Sequence, residues 1–174
     1  MTDTQNHPTH PHGSGEGHPH GIMRRKEREI TDRAEIDAIV YGEKVMHLAL
    51  SDNNTPFLVP LFYAYDGNSL YFHAAKAGTK IEILKRNNNV CFEIYTGFSI
   101  IEDDKACDFE ARHHTVIGFG KAFFVEDENE KIAALNKIVG LFTDKKFEFP
   151  KGNLNATNVI RIDIDLIKGK KHGY

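Results

Sequence analysis

Between positions 159 and 167 the side chains alternate without a break. Val159, Arg161, Asp163, Asp165 and Ile167 fall on one side, and Ile160, Ile162, Ile164 and Leu166 on the other. Successive side chains of a β-strand point to opposite faces, so this segment reads as a half-buried strand with one apolar face. As a helix it would scatter the same aliphatic residues around its circumference. A chain that contains this strand needs more strands to cover its apolar face.

They are found upstream. A strand over 45–50 leads into the turn residues Asp52-Asn53-Asn54. A second runs over 57–65 and contains Pro60, which cannot donate to a ladder and so belongs at an edge or a bulge. Asp66-Gly67-Asn68 is a hairpin signal, followed by a strand over 69–73. Two hairpins in succession make an antiparallel meander. Further strands fall over 90–95 and over 116–125, the latter broken by Gly118 and Gly120.

Three segments have helical spacing instead. Asp32 with Glu35 resembles a capping box ahead of Ile36, Ile39 and Val40. Residues 77–86 carry Ile81, Ile83 and Leu84 and stop at Asn87-Asn88-Asn89. Residues 128–142 carry the stripe Ile132, Leu135, Ile138, Val139 and Phe142. The stretches 96–112 and 147–155 lack a period and read as loops, the first long enough to suggest a functional one. The sum is a mainly β protein, a six-stranded antiparallel barrel, closed or split, with flanking helices.

The boundaries follow from composition. Residues 1–22 contain His7, His10, His12, His18 and His20 among Pro, Gly, Thr and Ser, with almost nothing apolar. They read as a disordered tail, because nothing in them offsets the entropy of ordering. Such a tract can bind divalent transition metals through neutral imidazoles. Residues 23–174 form one domain. The net charge of −3 argues against a nucleic-acid partner. No apolar run is long enough to span a membrane. Cys91 and Cys107 fit reduced thiols, and the expected compartment is the cytoplasm.

The chemistry concentrates where the strand over 69–73 gives way to the helix. A helix start exposes backbone N–H groups that no helical carbonyl can reach, and its dipole adds partial positive charge. Ala74, Ala75, Ala77 and Gly78 are small enough to let an anion approach. His73, Lys76 and Lys80 bring cations, and Thr79 a hydroxyl. The arrangement is a candidate phosphate cradle; a solvated turn with its lysines in water is the competing reading. Gly118-Phe119-Gly120-Lys121 is not a dinucleotide fingerprint, since the third glycine is missing and the glycines sit inside a strand. His113 and His114 are neighbours on a strand and point apart, so they do not share one metal ion.

The run Met23-Arg24-Arg25-Lys26, the strand segment Val59-Pro60-Leu61-Phe62-Tyr63, the turn from Phe72 to Lys80, the strand Val116-Ile117-Gly118-Phe119-Gly120-Lys121-Ala122 and the closing Lys168-Gly169-Lys170 occur in this order. This ordered set resembles the pyridoxamine 5′-phosphate oxidase-like flavin-binding split barrels, most closely the nitroimidazole-resistance branch. The resemblance implies a homodimer with FMN, or alternatively FAD, at the subunit interface. Pro60, Leu61, Phe62 and Tyr63 would run along the flavin ring. His73, Ala74, Ala75, Gly78 and Lys80 would hold its phosphate and ribityl end. Phe109, His113 and His114 of the partner subunit would close over it. His73 would be the catalytic residue. The implied activity is a flavin-dependent oxidoreductase, with NADH or NADPH as donor and a small oxidised molecule such as a nitroimidazole as acceptor. The alternatives are a non-catalytic flavin carrier or sensor, and a metal-binding protein acting through the histidine-rich tail.

Overall fold

The computed structural model describes residues 21–174. The strands are Glu29–Ile30 (β1), Val45–Asp52 (β2), Thr55–Phe62 (β3), Ala64–Tyr65 (β4), Ser69–Ala75 (β5), Asn89–Ile101 (β6), Glu110–Val125 (β7) and Thr157–His172 (β8). The helices are Arg33–Gly42 (α1), Thr79–Arg86 (α2), Glu128–Gly140 (α3) and Lys151–Ala156 (α4). All eight strands join one sheet in the order β3-β2-β6-β7-β8-β5-β4, with β1 alongside β8. Every pairing is antiparallel.

The edge strands β3 and β4 are separated in sequence by Tyr63 alone. A sheet whose two edges lie one residue apart must curl until they approach. This makes the sheet a split barrel, as the sequence reading expected. The strand count is eight rather than six, because β1 and β4 are two-residue strands too short to leave a period. The segment 57–65, read as one strand, is broken at Tyr63, where the chain changes edges. Pro60 lies on the edge strand β3, opposite His47.

Inside the barrel are Met46, Leu48 and Leu50, Leu70 and Phe72, Phe92 and Ile94, and Ile160, Ile162 and Ile164. The alternation of β8 supplies the last three, but it does not run on to 167: Gly120 pairs with Ile164 and Phe119 with Leu166, and this bulge at Asp165 reverses the faces, so that Ile167 rather than Leu166 packs against the core. A second, smaller cluster lies outside, where Ala134 and Leu135 of α3 and Leu154 of α4 pack on Val125 and Val159. The two glycines of β7 serve packing. A Cβ on Gly118 would run into the ring of Phe92, and one on Gly120 into the carbonyl of Asp163.

Turn chemistry fixes the hairpins. Asn53 and Asn54 both have positive φ (49° and 63°), the conformation a two-residue type I′ turn demands. In the next hairpin Gly67 has φ 99°, and the Asp66 carboxylate accepts from the amides of Asn68 and Ser69 at 3.1 and 2.9 Å. Asp32 caps α1 by accepting from Ala34 N at 2.9 Å. Glu35 does not complete a capping box; it pairs with Lys171 at 2.8 Å.

Two loop expectations are corrected. Residues 96–112 are mostly hairpin: Ser99 pairs with Arg112, Ile100 with Ala111 and Ile101 with Glu110. The register shifts between Thr96 and Ser99, beside Gly97 with φ 71°, and this bulge hides the alternation in the sequence. Most of α4 falls within residues 147–155, and it is held by burial of Leu154 rather than by propensity. Of the tail read as 1–22, residues 1–20, with all five of its histidines, lie outside the described residues.

Candidate functional site

Between β5 and α2 lies a pocket of about 340 Å³, lined by Phe57, Ala74, Ala75, Gly78, Thr79 and Lys80 together with Ala77 and Ile81. Its floor is set by the end of β5. Ala75 pairs with Thr157 and Ala74 with Asn158, and the buried Asn158 side chain donates to Ala75 O at 3.0 Å. Gly78 then turns the chain with φ 127°, where an L side chain is strained. A Cβ there would meet nothing within 4 Å, so the position opens onto space rather than onto protein.

Gly78 is the cap of α2 and has no side chain to satisfy the first amides. The first backbone bonds run from Ile81 and Glu82 to Gly78 O, at 2.9 and 3.1 Å. The amides of Thr79 and Lys80 precede them and have no carbonyl of their own helix to reach. The Lys80 ammonium sits 5.4 Å from the centroid of the buried Phe72 ring. Burial pushes its pKa below the ordinary lysine value, since the charged form is partly stripped of water. First-turn amides, a hydroxyl and a partly desolvated cation around one concavity fit a phosphate. Phe57 and Asn158, which sequence reasoning missed, complete the place: one lines it from β3 and the other ties its floor.

His73 stands apart from this group. It follows Phe72, which points inward, and so lies on the outer face of β5, exposed and paired through its backbone with Val159. Its imidazole does not line the pocket. Lys76 is also exposed and outside the lining.

From Phe57 at the pocket, β3 leads away through Pro60, Leu61 and Phe62. Pro60 and Phe62 are exposed and Leu61 is half-buried. Phe62 meets Phe142 edge-on at 5.3 Å. Tyr63 turns inward: it is 1% exposed, and its hydroxyl donates to Val40 O at 2.6 Å. Burial raises its pKa. Its backbone N–H donates to Lys44 O at 3.2 Å, so Tyr63 itself offers a ligand little.

Phe109, His113 and His114 lie far along the barrel. His113 pairs with His172, whereas His73 pairs with Val159, so most of β8 separates them. At about 3.3 Å per residue that is roughly 40 Å of strand. His113 stacks on Tyr95 at 5.8 Å and His114 lies 4.1 Å from the ring of Tyr174. Burial lowers the pKa of His114. Phe109 is exposed. A single chain therefore gathers the pocket and β3 but not the residues expected to cover them. Among the described residues no cluster of three or more metal-ligating side chains occurs, and no helix is long and apolar enough to cross a membrane.

Comparison with known proteins adds an independent line. A family profile described as pyridoxamine 5′-phosphate oxidase matches residues 32–171. No curated protein matches the chain. Among solved structures, one described as a 5-nitroimidazole antibiotic resistance protein from Bacteroides thetaiotaomicron is 29% identical, with a TM-score of 0.75 over 82% of this chain and 86% of that one. The flavocytochrome Anf3 from Azotobacter vinelandii has a TM-score of 0.79 at 20% identity, covering 88% and 73%. An FAD and heme binding protein from Mycobacterium smegmatis has a TM-score of 0.75 at 16% identity, covering 84% and 75%. The last two likenesses concern the fold alone.

Proposed function

Because the chain belongs to the pyridoxamine 5′-phosphate oxidase family, we propose that it is a flavin-dependent oxidoreductase whose pocket at the start of α2 holds the flavin phosphate. The observation that carries this reading is the conjunction, in one pocket, of the start of α2, which Gly78 leaves without a side-chain cap, and a partly desolvated Lys80. FMN is the first choice of cofactor and FAD the second. When bound, a flavin accepts hydride from a donor such as NADH or NADPH and passes electrons to an acceptor. The 29% identical structure described for 5-nitroimidazole resistance favours a small oxidised acceptor of the nitroimidazole kind.

The protein's share is binding, orientation and exclusion of water. Lys80 balances the phosphate charge, and the α2 amides orient it. The backbone from Pro60 to Tyr63 lines the path away from the phosphate, with Phe62 able to lie against a ring. His73 keeps the proposed catalytic role, but from the outer face of β5 and outside the phosphate pocket. The distance along β8 between the pocket and Phe109, His113 and His114 favours a homodimer in which a second copy supplies those residues. The free thiols Cys91 and Cys107 suit a reducing cytoplasm.

The visible spectrum of the purified full chain tests the first step. A flavin spectrum, or saturable uptake of FMN or FAD by colourless protein, is expected; neither would overturn the flavin reading. Stopped-flow mixing with NADH and NADPH tests the second. Flavin that binds but is reduced by neither donor would replace the reductase with a flavin carrier.

A further inference from the structure

The opposite face of the sheet carries a second concavity that the flavin reading does not use. It has a volume of about 560 Å³ and is lined by Arg24, Arg25, Arg28, Lys168 and Lys170, with Glu93 the one carboxylate. Three neighbouring strands build its floor in register: Glu93 of β6 pairs with Ile117 of β7, which pairs with Lys168 of β8, and Thr115 pairs with Lys170. These residues alternate with the buried Phe92, Ile94, Val116 and Gly169, so they point away from the barrel interior. The segment Ile22 to Arg28 folds along one side and brings its arginines over the floor.

The charges in this pocket are poorly compensated. Arg25 and Arg28 approach Glu27 and Glu110 only at 3.6 and 3.7 Å; the first is an exposed pair of little worth, and Glu110 is shared with His172 at 2.7 Å. Glu93 lies 3.4 Å from His47. Lys168 donates to Gly21 O at 2.7 Å, a contact that leaves its charge unneutralised. Arg24 and Lys170 have no carboxylate partner among the described residues. Five cations around one concavity repel one another unless an anion enters, and the excess is local, since the whole chain carries −3. Arginine forks suit phosphate oxygens. Met23, Ile22 and Ile117 add apolar wall for a flat group beside the anion. The volume falls in the range of small-ligand sites, roughly 300–1,000 Å³.

We propose that this pocket binds the diphosphate of a nucleotide, with the adenosine end of the ligand against Ile117 and Met23. Which molecule brings the diphosphate rests on the flavin reading: the α2 pocket already takes the flavin's own phosphate, so the adenosine diphosphate half of the nicotinamide donor is the candidate. Diphosphate binding itself does not depend on that reading.

Calorimetric titration of the full chain with ADP and with inorganic pyrophosphate, at low and high salt, tests the proposal. Both should bind, more weakly as salt rises. The double variant Arg24→Ala/Lys168→Ala, whose side chains lie outside the core, should bind ADP at least tenfold more weakly with an unchanged circular dichroism spectrum. If the donor is the source, the variant raises KM for NADH or NADPH and leaves FMN affinity unchanged. Absence of ADP and pyrophosphate binding to the parent protein, or equal binding by parent and variant, would overturn the proposal, whether or not the protein holds a flavin.

Discussion

Replacing Gly118 by Ala tests whether the barrel interior is built around one ring. Phe92 is fully buried and pairs with Leu48 on one side and Gly118 on the other. The added Cβ would fall on the ring edge itself, against three of its carbons. The ring has no room to swing, because Leu48, Ile94 and Val116 around it are equally buried. Overpacking of this kind costs about 1–3 kcal/mol. Reduced freedom of the unfolded chain returns roughly 0.4–1 kcal/mol of that. The net expectation is a destabilisation of about 1–2 kcal/mol, or a Tm lower by about 2–8 °C for a domain of this size. Phe92→Leu should also destabilise, by leaving a void. The double variant should lose less than the sum, since the smaller side chain vacates the space the methyl needs. Urea and thermal unfolding of the four proteins measure all three quantities. A neutral Gly118→Ala, or strict additivity in the double variant, would refute the account of Gly118 as a seat for Phe92.

Lys80→Ala should weaken FMN binding by roughly 10–150-fold, the equivalent of a charge-assisted phosphate contact worth roughly 1.5–3 kcal/mol. Quenching of flavin fluorescence reads the affinity, and no change would place the Lys80 ammonium away from the phosphate. Asp66 should make the fold sensitive to acid. Burial opposes its carboxylate, but hydrogen bonds from Ser69, Asn68, Tyr71 and Lys137 outweigh this and hold its pKa below the ordinary 3.8. A carboxylate depressed on folding stabilises above its unfolded pKa, and that contribution is lost as pH falls through the folded one. Asp66→Asn should therefore be less stable than the parent at pH 7, with the gap closing below 3.8; urea melts across pH that show a constant gap would contradict this.

What the sequence made legible was what local chemistry decides. Asn53-Asn54 and Gly67 announce hairpins because their backbones need positive φ. Pro60 announces an edge because it lacks a donor. The end of β5 and the start of α2 announce an anion site because small residues, a glycine cap and Lys80 coincide. The rest depended on facts that one strand's pattern does not carry. The β6–β7 hairpin beyond Thr96 is exposed on both faces, with Phe98, Ile100 and Phe109 open to solvent, so no alternation marks it. The outward position of His73 follows from its parity with Phe72, and the nearness of residues in sequence obscured it. Glu35 faces Lys171, far down the chain, rather than its own helix start. Asn158 and Phe57 reach the pocket by strand pairing and edge placement, which register alone determines.

β8 follows every other element in the chain, yet it is the partner of β1, β5 and β7. Until it emerges from a ribosome, β5 has only the two-residue β4 beside it, and β7 has one free edge. A nascent chain would hold β2, β3, β6 and β7 as an open sheet with Leu48, Phe92 and Val116 uncovered. Closure then demands contacts between residues distant in sequence, the kind of step that slows folding. The interval before it leaves an apolar surface and an unpaired edge exposed together. The strand whose alternation identifies the fold is thus also the one for which the barrel must wait.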